Sequence, residues 1–318
     1  MPLAEKSLIE GIRRSARQPG GSVRLGIGDD CAVLRPPKGH QILVTTDYTL
    51  ENIHFRRSWH APEIVGRRCL TRGLSDIAAM GGKPLAAFLS LALPADLPQR
   101  WVDQFMRGLL GLARECNVPL AGGDTAQSLE GILADIIVLG SAPNGKALVR
   151  SGAKPGDRIY VSGELGGGTA ALKEFLAGRK PRPQDYPRHF HPVPRLKLGE
   201  FLRVRGIATA LIDLSDGLST DLGHICEESQ VGAEILADQI PRARVGRKRD
   251  PIDLKLALHG GEDYELLFTA PARKHVPSSV AGVAITPIGR ITPGKRILLR
   301  TGTRVEALEP RGWEHFRS

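Results

Sequence analysis

The sequence predicts a mixed α/β protein that folds as two domains. Its 318 residues are long for a single hydrophobic core, because domains of about 100–150 residues are the commonest. Short apolar runs of strand length alternate along the chain with longer segments in which apolar residues recur at helical spacing. A turn-rich sequence at 142–145 divides these segments into two groups. We therefore predict an N-terminal domain at 1–142 and a C-terminal domain at 143–318.

Helices and strands are interleaved in the predicted N-terminal domain. Residues 1–20 carry charged side chains among apolar ones and predict an amphipathic helix. Helical spacing predicts two further helices, at 62–80, which a Gly81-Gly82 stop signal ends, and at 98–116. Apolar runs bounded by turn residues predict the strands, which lie at 22–27, 41–46, 88–93, 119–121 and 132–140.

The predicted C-terminal domain has a strand at 158–161, a glycine-rich turn at 162–169 and a helix at 170–177. The turn lacks the Gly-Lys-Ser/Thr ending of a phosphate-binding loop, so a plain turn is favoured over a phosphate site. Five prolines in 178–194 predict a loop without regular structure. The remaining predicted elements are strands at 209–212 and 264–269 and a helix at 218–228.

The chain carries 44 Lys and Arg against 34 Asp and Glu, a formal net charge of +10. Such a charge attracts nucleic acid, anionic lipid or phosphorylated small molecules. The densest basic segment, 242–249, is interrupted by Ala, Val and Gly and lacks the alternating aromatic residues on which single strands stack. The longest apolar run, 85–93, is far shorter than the about 20 residues of a membrane span. We predict a solvated basic loop and no nucleic-acid or membrane partner.

The four cysteines, Cys31, Cys69, Cys116 and Cys226, lie far apart and show no zinc-ligand spacing. They predict reduced, buried thiols. Charged residues among the first 20 leave no uninterrupted apolar core for a signal peptide. A cytoplasmic location is therefore expected.

Five short segments place an aspartate in a Gly, Ser or Thr setting after an apolar run. Carboxylate and hydroxyl oxygens are the ligands that Mg²⁺ prefers, and a Mg²⁺ cluster lets anionic phosphates approach each other. Any one segment is equally well explained as a turn or a helix cap, but five together favour phosphate chemistry on several Mg²⁺ ions. The segments are 28–30, 45–47, 74–76, 122–125 and 213–217.

Two of these segments carry most of the argument. Asp76 lies in an apolar helix, where a buried carboxylate is costly without a cation. At 212–217 a strand leads directly into Asp213, Ser215 and Asp216 and then into a helix. A helix cap would require only one such residue.

In the same order along the chain, these segments resemble the thiamine-monophosphate kinase family. That family shares its Asp-rich ATP and Mg²⁺ elements with aminoimidazole ribonucleotide synthetase and selenophosphate synthetase. The resemblance therefore implies the two-domain α/β fold of the aminoimidazole ribonucleotide synthetase-like proteins. The Gly-Glu-Asp-Tyr-Glu segment and the aromatic tail are more specific to the kinase. The matching segments are 26–30, 45–55, 74–81, 122–125, 150–157, 212–222, 260–266 and 312–316.

The resemblance implies ATP-dependent phosphorylation of thiamine monophosphate to thiamine diphosphate, the last step of thiamine diphosphate biosynthesis. It implies a homodimer paired through N-terminal domains that bind ATP and Mg²⁺, with the C-terminal domain completing the active site. The implied Mg²⁺ ligands are Asp30, Thr45, Thr46, Asp47, Asp76, Asp124, Asp213 and Asp216, with Asp47, Asp124, Asp213 and Asp216 as the catalytic residues. The implied ATP contacts are Gly123, Asp124, Arg150 and Ser215, and those to the thiamine end are His54, Glu262 and Trp313.

The acceptor in this reaction is a phosphate oxygen that is already ionised at neutral pH. No general base is then required, in contrast to kinases that act on hydroxyl groups. Direct in-line transfer, without a phosphoenzyme, is expected.

Two departures and two alternatives accompany the resemblance. The family usually has Asn at the position of Gly73 and an aromatic residue near Cys116, so one hydrogen bond and one adenine contact are in question.

The alternative within the superfamily is a selenophosphate synthetase, which needs a reactive cysteine in a glycine-rich N-terminal loop. Cys31 follows the Asp29-Asp30 pair in a position that we expect to be packed. The alternative from another class is a non-catalytic nucleotide- or RNA-binding protein.

Overall fold

The structure is a computed structural model and describes residues 5–16 and 21–313. The chain divides into two compact units, one formed by Met1–Ile77 with Gly82–Gly145 and the other by Ala78–Gly81 with Lys146–Ser318. Each unit combines a β-sheet with helices, which confirms the predicted α/β class. Part of the tail that resembles the kinase family, Glu314-His315-Phe316, lies outside the described residues.

The first unit is built on a four-stranded sheet of order β3-β6-β4-β5. Strands β4 and β5 are parallel and the other neighbours are antiparallel, while β1 and β2 form a separate antiparallel pair. The elements are α1 Glu5–Ser15, β1 Val23–Leu25, β2 Val33–Leu34, β3 His40–Leu50, α2 Pro62–Ala79, β4 Lys83–Pro94, α3 Gln99–Glu115, β5 Leu120–Ser128 and β6 Leu133–Pro143.

One face of this sheet packs on α2 and the other is open. A Cβ atom at Gly73 would lie 2.6 Å from Val138 Cγ2, so only a glycine lets α2 approach β6 this closely. On the open face, Val44 and Tyr48 of β3 are 67% and 57% exposed. Successive residues of a strand alternate between the two faces, so Thr45 and Asp47 point toward α2 and Thr46 shares the open face.

The second unit is built on a larger sheet of order β16-β15-β9-β14-β7-β12-β8, with β13 paired to β14. Only β9 and β15 are parallel neighbours among the described pairs. The elements are β7 Arg158–Ser162, α4 Gly167–Leu176, α5 Pro187–Phe190, α6 Leu196–Val204, β8 Ala210–Asp213, α7 Leu218–Ser229, β9 Gly232–Leu236, β10 Arg244–Val245, β11 Asp250–Pro251, α8 Leu254–His259, β12 Leu266–Ala270, β13 Ser279–Val280, β14 Val283–Thr292, β15 Ile297–Thr301 and β16 Arg304–Ala307.

Hydrophobic residues cover both faces of the larger sheet. Ile159 and Val161 of β7 belong to one buried cluster, whereas Tyr160 between them belongs to another. The same alternation holds in β12, whose five residues are all buried. A strand buried on both faces reads as a continuous apolar run, which is why 264–269 was recognisable in the sequence.

The prediction that 178–194 contains no regular structure is wrong. A 3₁₀ turn spans Pro183–Asp185, and α5 begins at Pro187. Proline fits the first position of a helical turn because its missing N–H group has no helical partner there. Among all the residues that the structure describes, no helix has both the length and the apolar composition needed to cross a membrane.

Candidate active site

The first group of predicted residues joins β3 to α2. Thr45 and Asp47 lie two residues apart and therefore share one face of β3. Thr45 Oγ1 donates a short hydrogen bond to Asp76 Oδ2, and Asp47 Oδ1 lies 3.8 Å from Arg72 Nε. Asp76 and Arg72 are one turn apart on α2. The structure thus brings together three of the predicted Mg²⁺ ligands.

This group holds more negative than positive charge. The pKa of Asp47 is raised from 3.8 to about 7, mainly by burial and next by the neighbouring carboxylate of Asp76, while Arg72 acts in the opposite direction. A carboxyl group with such a pKa is stabilised in its ionised form by an added cation. The hydroxyl and carboxylate oxygens of the group fit a hard divalent cation such as Mg²⁺.

Thr46 lies on the other face of β3, away from Thr45 and Asp47. Thr46 Oγ1 donates a 2.6 Å hydrogen bond to Asp135 Oδ1 on β6. Asp135 was not singled out from the sequence, although one charged residue in the apolar run of β6 was the available signal. Through the strand registers, Asp135 pairs with Ser90 of β4, and Ser90 pairs with Asp124 of β5. Asp124 therefore belongs to this row, about 10 Å from Asp135 across two strand spacings.

Asp29 and Asp30 in the loop after β1 and Asp124 in β5 are exposed. Asp29 Oδ1 accepts a hydrogen bond from the Asp30 N–H group, so Asp29 closes the turn. Asp124 Oδ1 accepts from the Thr125 N–H group in the same way. The preceding Gly123 has φ of 150°, and a Cβ atom there would lie 1.8 Å from the Leu89 carbonyl oxygen. Close packing of β5 on β4 thus accounts for this glycine.

His54 lies in the loop after β3. Its Nδ1 accepts a 3.0 Å hydrogen bond from the Leu50 N–H group. The neutral ring therefore carries its proton on Nε2. The loop geometry fixes this tautomer before any ligand arrives.

The second group of predicted residues lies where β8 turns into α7. Asp213 ends β8 and is buried, and Asp216 is half-buried in the turn. Asp221 and His224 of α7 bring their ligand atoms within 4.8 Å of those of Asp216 and of each other. Asp221 Oδ2 accepts hydrogen bonds from the N–H groups of Asp216 at 3.2 Å and Gly217 at 3.0 Å. Asp221 therefore holds the shape of the turn.

Asp221 was missed in the sequence because a single aspartate in a helix gives no distinctive signal. Burial raises its pKa well above the ordinary value, and the nearby charges of Asp213 and Asp216 add to the effect. The turn thus concentrates three carboxyl groups in a partly desolvated space. Such a donor set fits a divalent cation.

Glu262 and Trp313 are held directly on this turn by backbone hydrogen bonds. The Glu262 N–H group donates 2.8 Å to the Ser215 carbonyl, and the Trp313 N–H group donates 3.1 Å to the Asp216 carbonyl. Trp313 is 53% exposed. Glu262 has φ of 64°, an uncommon conformation for a non-glycine residue and one often found at functional sites.

Among the described residues, Arg150 makes no side-chain hydrogen bond or ion pair with this group. It is exposed, and its carbonyl oxygen accepts a hydrogen bond from Ser229 Oγ. Of the residues predicted in the second unit, the structure thus gathers Asp213, Ser215, Asp216, Glu262 and Trp313 and leaves Arg150 apart from their hydrogen bonds.

The cysteine predictions are partly wrong. Cys31 is exposed, because it follows the open Asp29-Asp30 turn instead of lying in a packed strand. Cys69 and Cys226 are buried, and Cys116 is half-buried with its pKa raised to about 11 mainly by burial. All four are free thiols.

Asp263, next to Glu262, gives the second unit a pH-dependent stability. It is buried and accepts hydrogen bonds from the N–H groups of Gly166 and Gly168, yet burial raises its pKa from 3.8 to about 7. Between about pH 4 and 7 the unfolded chain loses this proton while the folded chain keeps it. The contribution of Asp263 to stability is therefore complete below about pH 4 and declines as the pH rises to 7.

We expect the free energy of unfolding of the wild type, measured relative to that of Asp263→Asn, to fall by about 2 kcal/mol or more from pH 5 to pH 8. The free energy of unfolding in urea, measured at each pH, tests this. A difference that stays constant over this range contradicts the raised pKa.

Comparison with known proteins gives the family of the chain. The model of the AIR synthase related protein N-terminal domain matches residues 28–142, and that of the C-terminal domain matches residues 154–301. The thiamine-monophosphate kinase of Escherichia coli strain K12 is 38% identical over 99% of this chain and 99% of its own length. That of Haemophilus influenzae is 36% identical over 100% of this chain and 99% of its own. The chain belongs to the thiamine-monophosphate kinase family.

Solved structures of this family agree with its fold. Thiamine-monophosphate kinase from Stenotrophomonas maltophilia K279a is 36% identical with a TM-score of 0.81, covering 94% of this chain and 97% of its own. AaThiL complexed with AMPPCP and TMP is 32% identical with a TM-score of 0.77, covering 99% and 97%. As a member of the thiamine-monophosphate kinase family, the chain is a kinase with the AIR synthase-related two-domain fold. The predicted family and fold are confirmed.

Proposed function

We propose that the chain transfers the terminal phosphoryl group of ATP to thiamine monophosphate and releases thiamine diphosphate. The observation that carries this proposal is the grouping of Thr45, Asp47 and Asp76 within a chain that matches thiamine-monophosphate kinases along its whole length. The complex of AaThiL with AMPPCP and TMP supports both substrates.

Several Mg²⁺ ions are part of the proposal. The residues that would hold them are Asp30, Thr45, Thr46, Asp47, Asp76, Asp124, Asp213 and Asp216. Their hydroxyl and carboxylate oxygens are the donor type that this ion prefers. When bound, the ions neutralise phosphate charge and align the reacting oxygens. Asp135 would orient the hydroxyl of Thr46 through their hydrogen bond.

The side chains of the site position the reactants and need not form covalent intermediates. The acceptor oxygen of thiamine monophosphate is ionised at neutral pH, so no residue has to remove a proton from it. We therefore propose direct in-line transfer, with Gly123, Arg150 and Ser215 contacting ATP.

At the thiamine end, three residues offer complementary groups. The imidazole ring of His54, whose Nδ1 accepts from the Leu50 N–H group, is of a kind that suits a phosphate. The Glu262 carboxyl group would pair with the cationic thiazolium or the aminopyrimidine, and the half-exposed ring of Trp313 offers a stacking surface. Both are tied to the 213–217 turn, which would keep the two ends of the acceptor in a fixed relation to Asp213 and Asp216.

The first test is a comparison of acceptors. Purified protein with ATP and Mg²⁺ is expected to convert thiamine monophosphate into thiamine diphosphate, separated by chromatography, and to leave unphosphorylated thiamine unchanged. A folded protein that forms no diphosphate contradicts the proposal. The cytoplasmic location expected from the sequence stays a prediction.

The homodimer is also a proposal, and the open face of the first sheet supports it. Ile42, Val44 and Tyr48 of β3 are 41%, 67% and 57% exposed. In the strand register, Val44 lies opposite the half-buried Leu139 of β6 and Thr46 lies opposite Ile137. An apolar sheet face of this kind usually marks an interface.

We expect Val44→Asp to convert the dimer into a monomer, because a charge would be buried without a partner at the centre of this face. Sedimentation velocity at micromolar concentration measures the change. Val204→Asp is the matched control, since Val204 is 65% exposed in the second unit. A wild type that is monomeric, or a Val44→Asp protein that stays dimeric, would refute pairing through this face.

A further inference from the structure

Two basic segments that the proposed reaction does not use meet at one cavity in the second unit. They are the proline-rich segment 178–194 and the segment 242–249, which the sequence indicated to be a solvated loop. The Gly246 N–H group donates a 3.0 Å hydrogen bond to the Asp185 carbonyl and ties the segments together. The cavity has a volume of about 260 Å³. Its wall includes four arginines and one histidine: Arg188, Arg195, Arg244, Arg249 and His191.

The inner part of the cavity is fixed by a fully buried carboxylate. Glu265 is 0% exposed and binds both Arg188 and Arg195. Arg195 engages it with two nitrogens, Nε at 2.7 Å and Nη2 at 2.5 Å. The side chains of Arg188 and Arg195 are only 24% and 14% exposed. One carboxylate thus holds two guanidinium groups in place.

The outer part of the cavity adds two more guanidinium groups. Within the described chain, neither Arg244 nor Arg249 has a carboxylate at ion-pair distance. Arg244 Nη1 donates to the Arg249 carbonyl at 3.4 Å. Arg249 has φ of 56°, so the segment turns sharply at this residue. Both arginines are exposed at the mouth.

The acidic residues of the cavity do not cancel these charges. The Asp263 carboxylate is taken up by the N–H groups of Gly166 at 2.5 Å and Gly168 at 2.9 Å. Glu164 lies 3.8 Å from Arg188 Nε, beyond hydrogen-bond distance. Four arginines therefore face three carboxylates, one of which points at the backbone.

We propose that this cavity binds a small phosphate-bearing anion. A guanidinium group can donate two parallel hydrogen bonds to two phosphate oxygens. The buried Glu265 holds Arg188 and Arg195 in fixed positions, which such a site requires. The volume lies just below the about 300–1,000 Å³ of sites for larger ligands, so a phosphate or diphosphate group fits better than a whole nucleotide. Free diphosphate and the terminal phosphates of a metabolite share this chemistry.

The site is tested on the full chain by isothermal titration with inorganic diphosphate in excess EDTA. Because ATP, thiamine phosphate and free Mg²⁺ are absent, the result does not depend on the proposed kinase reaction. We expect saturable binding to the wild type and at least tenfold weaker binding to Arg244→Gln/Arg249→Gln. The matched control is Arg247→Gln/Arg273→Gln, which removes the same charge from exposed arginines outside the cavity wall and should bind within twofold of the wild type.

No saturable binding, or equal weakening in both double variants, overturns the proposal. Circular dichroism of each variant confirms that it is folded. Titration with inorganic phosphate and with ADP then separates the sources. If ADP binds more tightly than the inorganic anions and this binding is lost in Arg244→Gln/Arg249→Gln, the site holds the terminal phosphates of a nucleotide. If ADP binds more weakly than the inorganic anions, the site holds the inorganic anion.

Discussion

Replacing Asp47 with asparagine is expected to lower the rate of thiamine diphosphate formation by about 10³-fold or more. A metal-held charge at phosphoryl transfer contributes several kcal/mol, and about 4 kcal/mol corresponds to 10³-fold. The asparagine keeps the size of the side chain but removes its charge beside Asp76 and Arg72. Steady-state assays at saturating ATP and thiamine monophosphate measure the effect.

In the absence of Mg²⁺, the same variant is expected to be more stable than the wild type. The pKa of Asp47 is raised from 3.8 to about 7, so stability falls as the pH rises through this range and remains low at pH 8. In EDTA at pH 8, the free energy of unfolding of Asp47→Asn, measured in urea, should be about 1–3 kcal/mol higher than that of the wild type. Adding Mg²⁺ should stabilise the wild type and have little effect on the variant.

Asp96→Asn is the matched control, because Asp96 is an exposed aspartate of the same unit. It should change neither the rate nor the response to Mg²⁺. Wild-type turnover in Asp47→Asn, or equal Mg²⁺ stabilisation of both proteins, would contradict a metal-binding role for Asp47.

Asp216→Asn is expected to reduce turnover by a similar factor of about 10³. Its backbone carbonyl, which holds the Trp313 N–H group, is retained, so the tail should stay in place. We therefore expect kcat to fall while KM for thiamine monophosphate changes less than about threefold, since lost transition-state charge stabilisation lowers kcat. Kinetics over a Mg²⁺ series measure both quantities.

The control for this variant is Asp238→Asn, an exposed aspartate in a 3₁₀ turn of the same unit. If Asp216→Asn kept the wild-type kcat and the wild-type Mg²⁺ dependence, Asp216 would not be a metal ligand. A large rise in KM with kcat unchanged would instead make it a binding residue for thiamine monophosphate.

Strand prediction succeeded where a strand is buried on both faces and failed where turn residues interrupt it. The apolar run at 264–269 appears as β12, but β14 at Val283–Thr292 was missed. Pro287 and Gly289 are ordinarily turn signals, and here they flank a bulge in the pairing of β14 with β7. Likewise β5 extends past the predicted 119–121 because Gly123 allows close pairing with β4.

The residues of the candidate site also differ in whether the sequence alone could identify them. Aspartates followed by Gly, Ser or Thr at strand ends were recognisable, because several oxygen ligands in a few residues form an unusual pattern. Asp135 and Asp221 were not, since each is a lone carboxylate whose role depends on a partner supplied by the fold. Thr46 reaches Asp135 only through strand pairing, and Asp221 reaches Gly217 only through the first turn of α7. The exposure of Cys31 is equally a result of tertiary structure.

The central claim is direct transfer of the γ-phosphoryl group of ATP to thiamine monophosphate. The most direct measurement follows γ-labelled ATP through a single turnover with excess protein, Mg²⁺ and thiamine monophosphate, quenched at successive times. We expect the label to appear in the terminal phosphate of thiamine diphosphate at the rate at which ADP forms, with none on the protein. Label that accumulates as inorganic phosphate, or that passes through the protein at the turnover rate, would contradict the account.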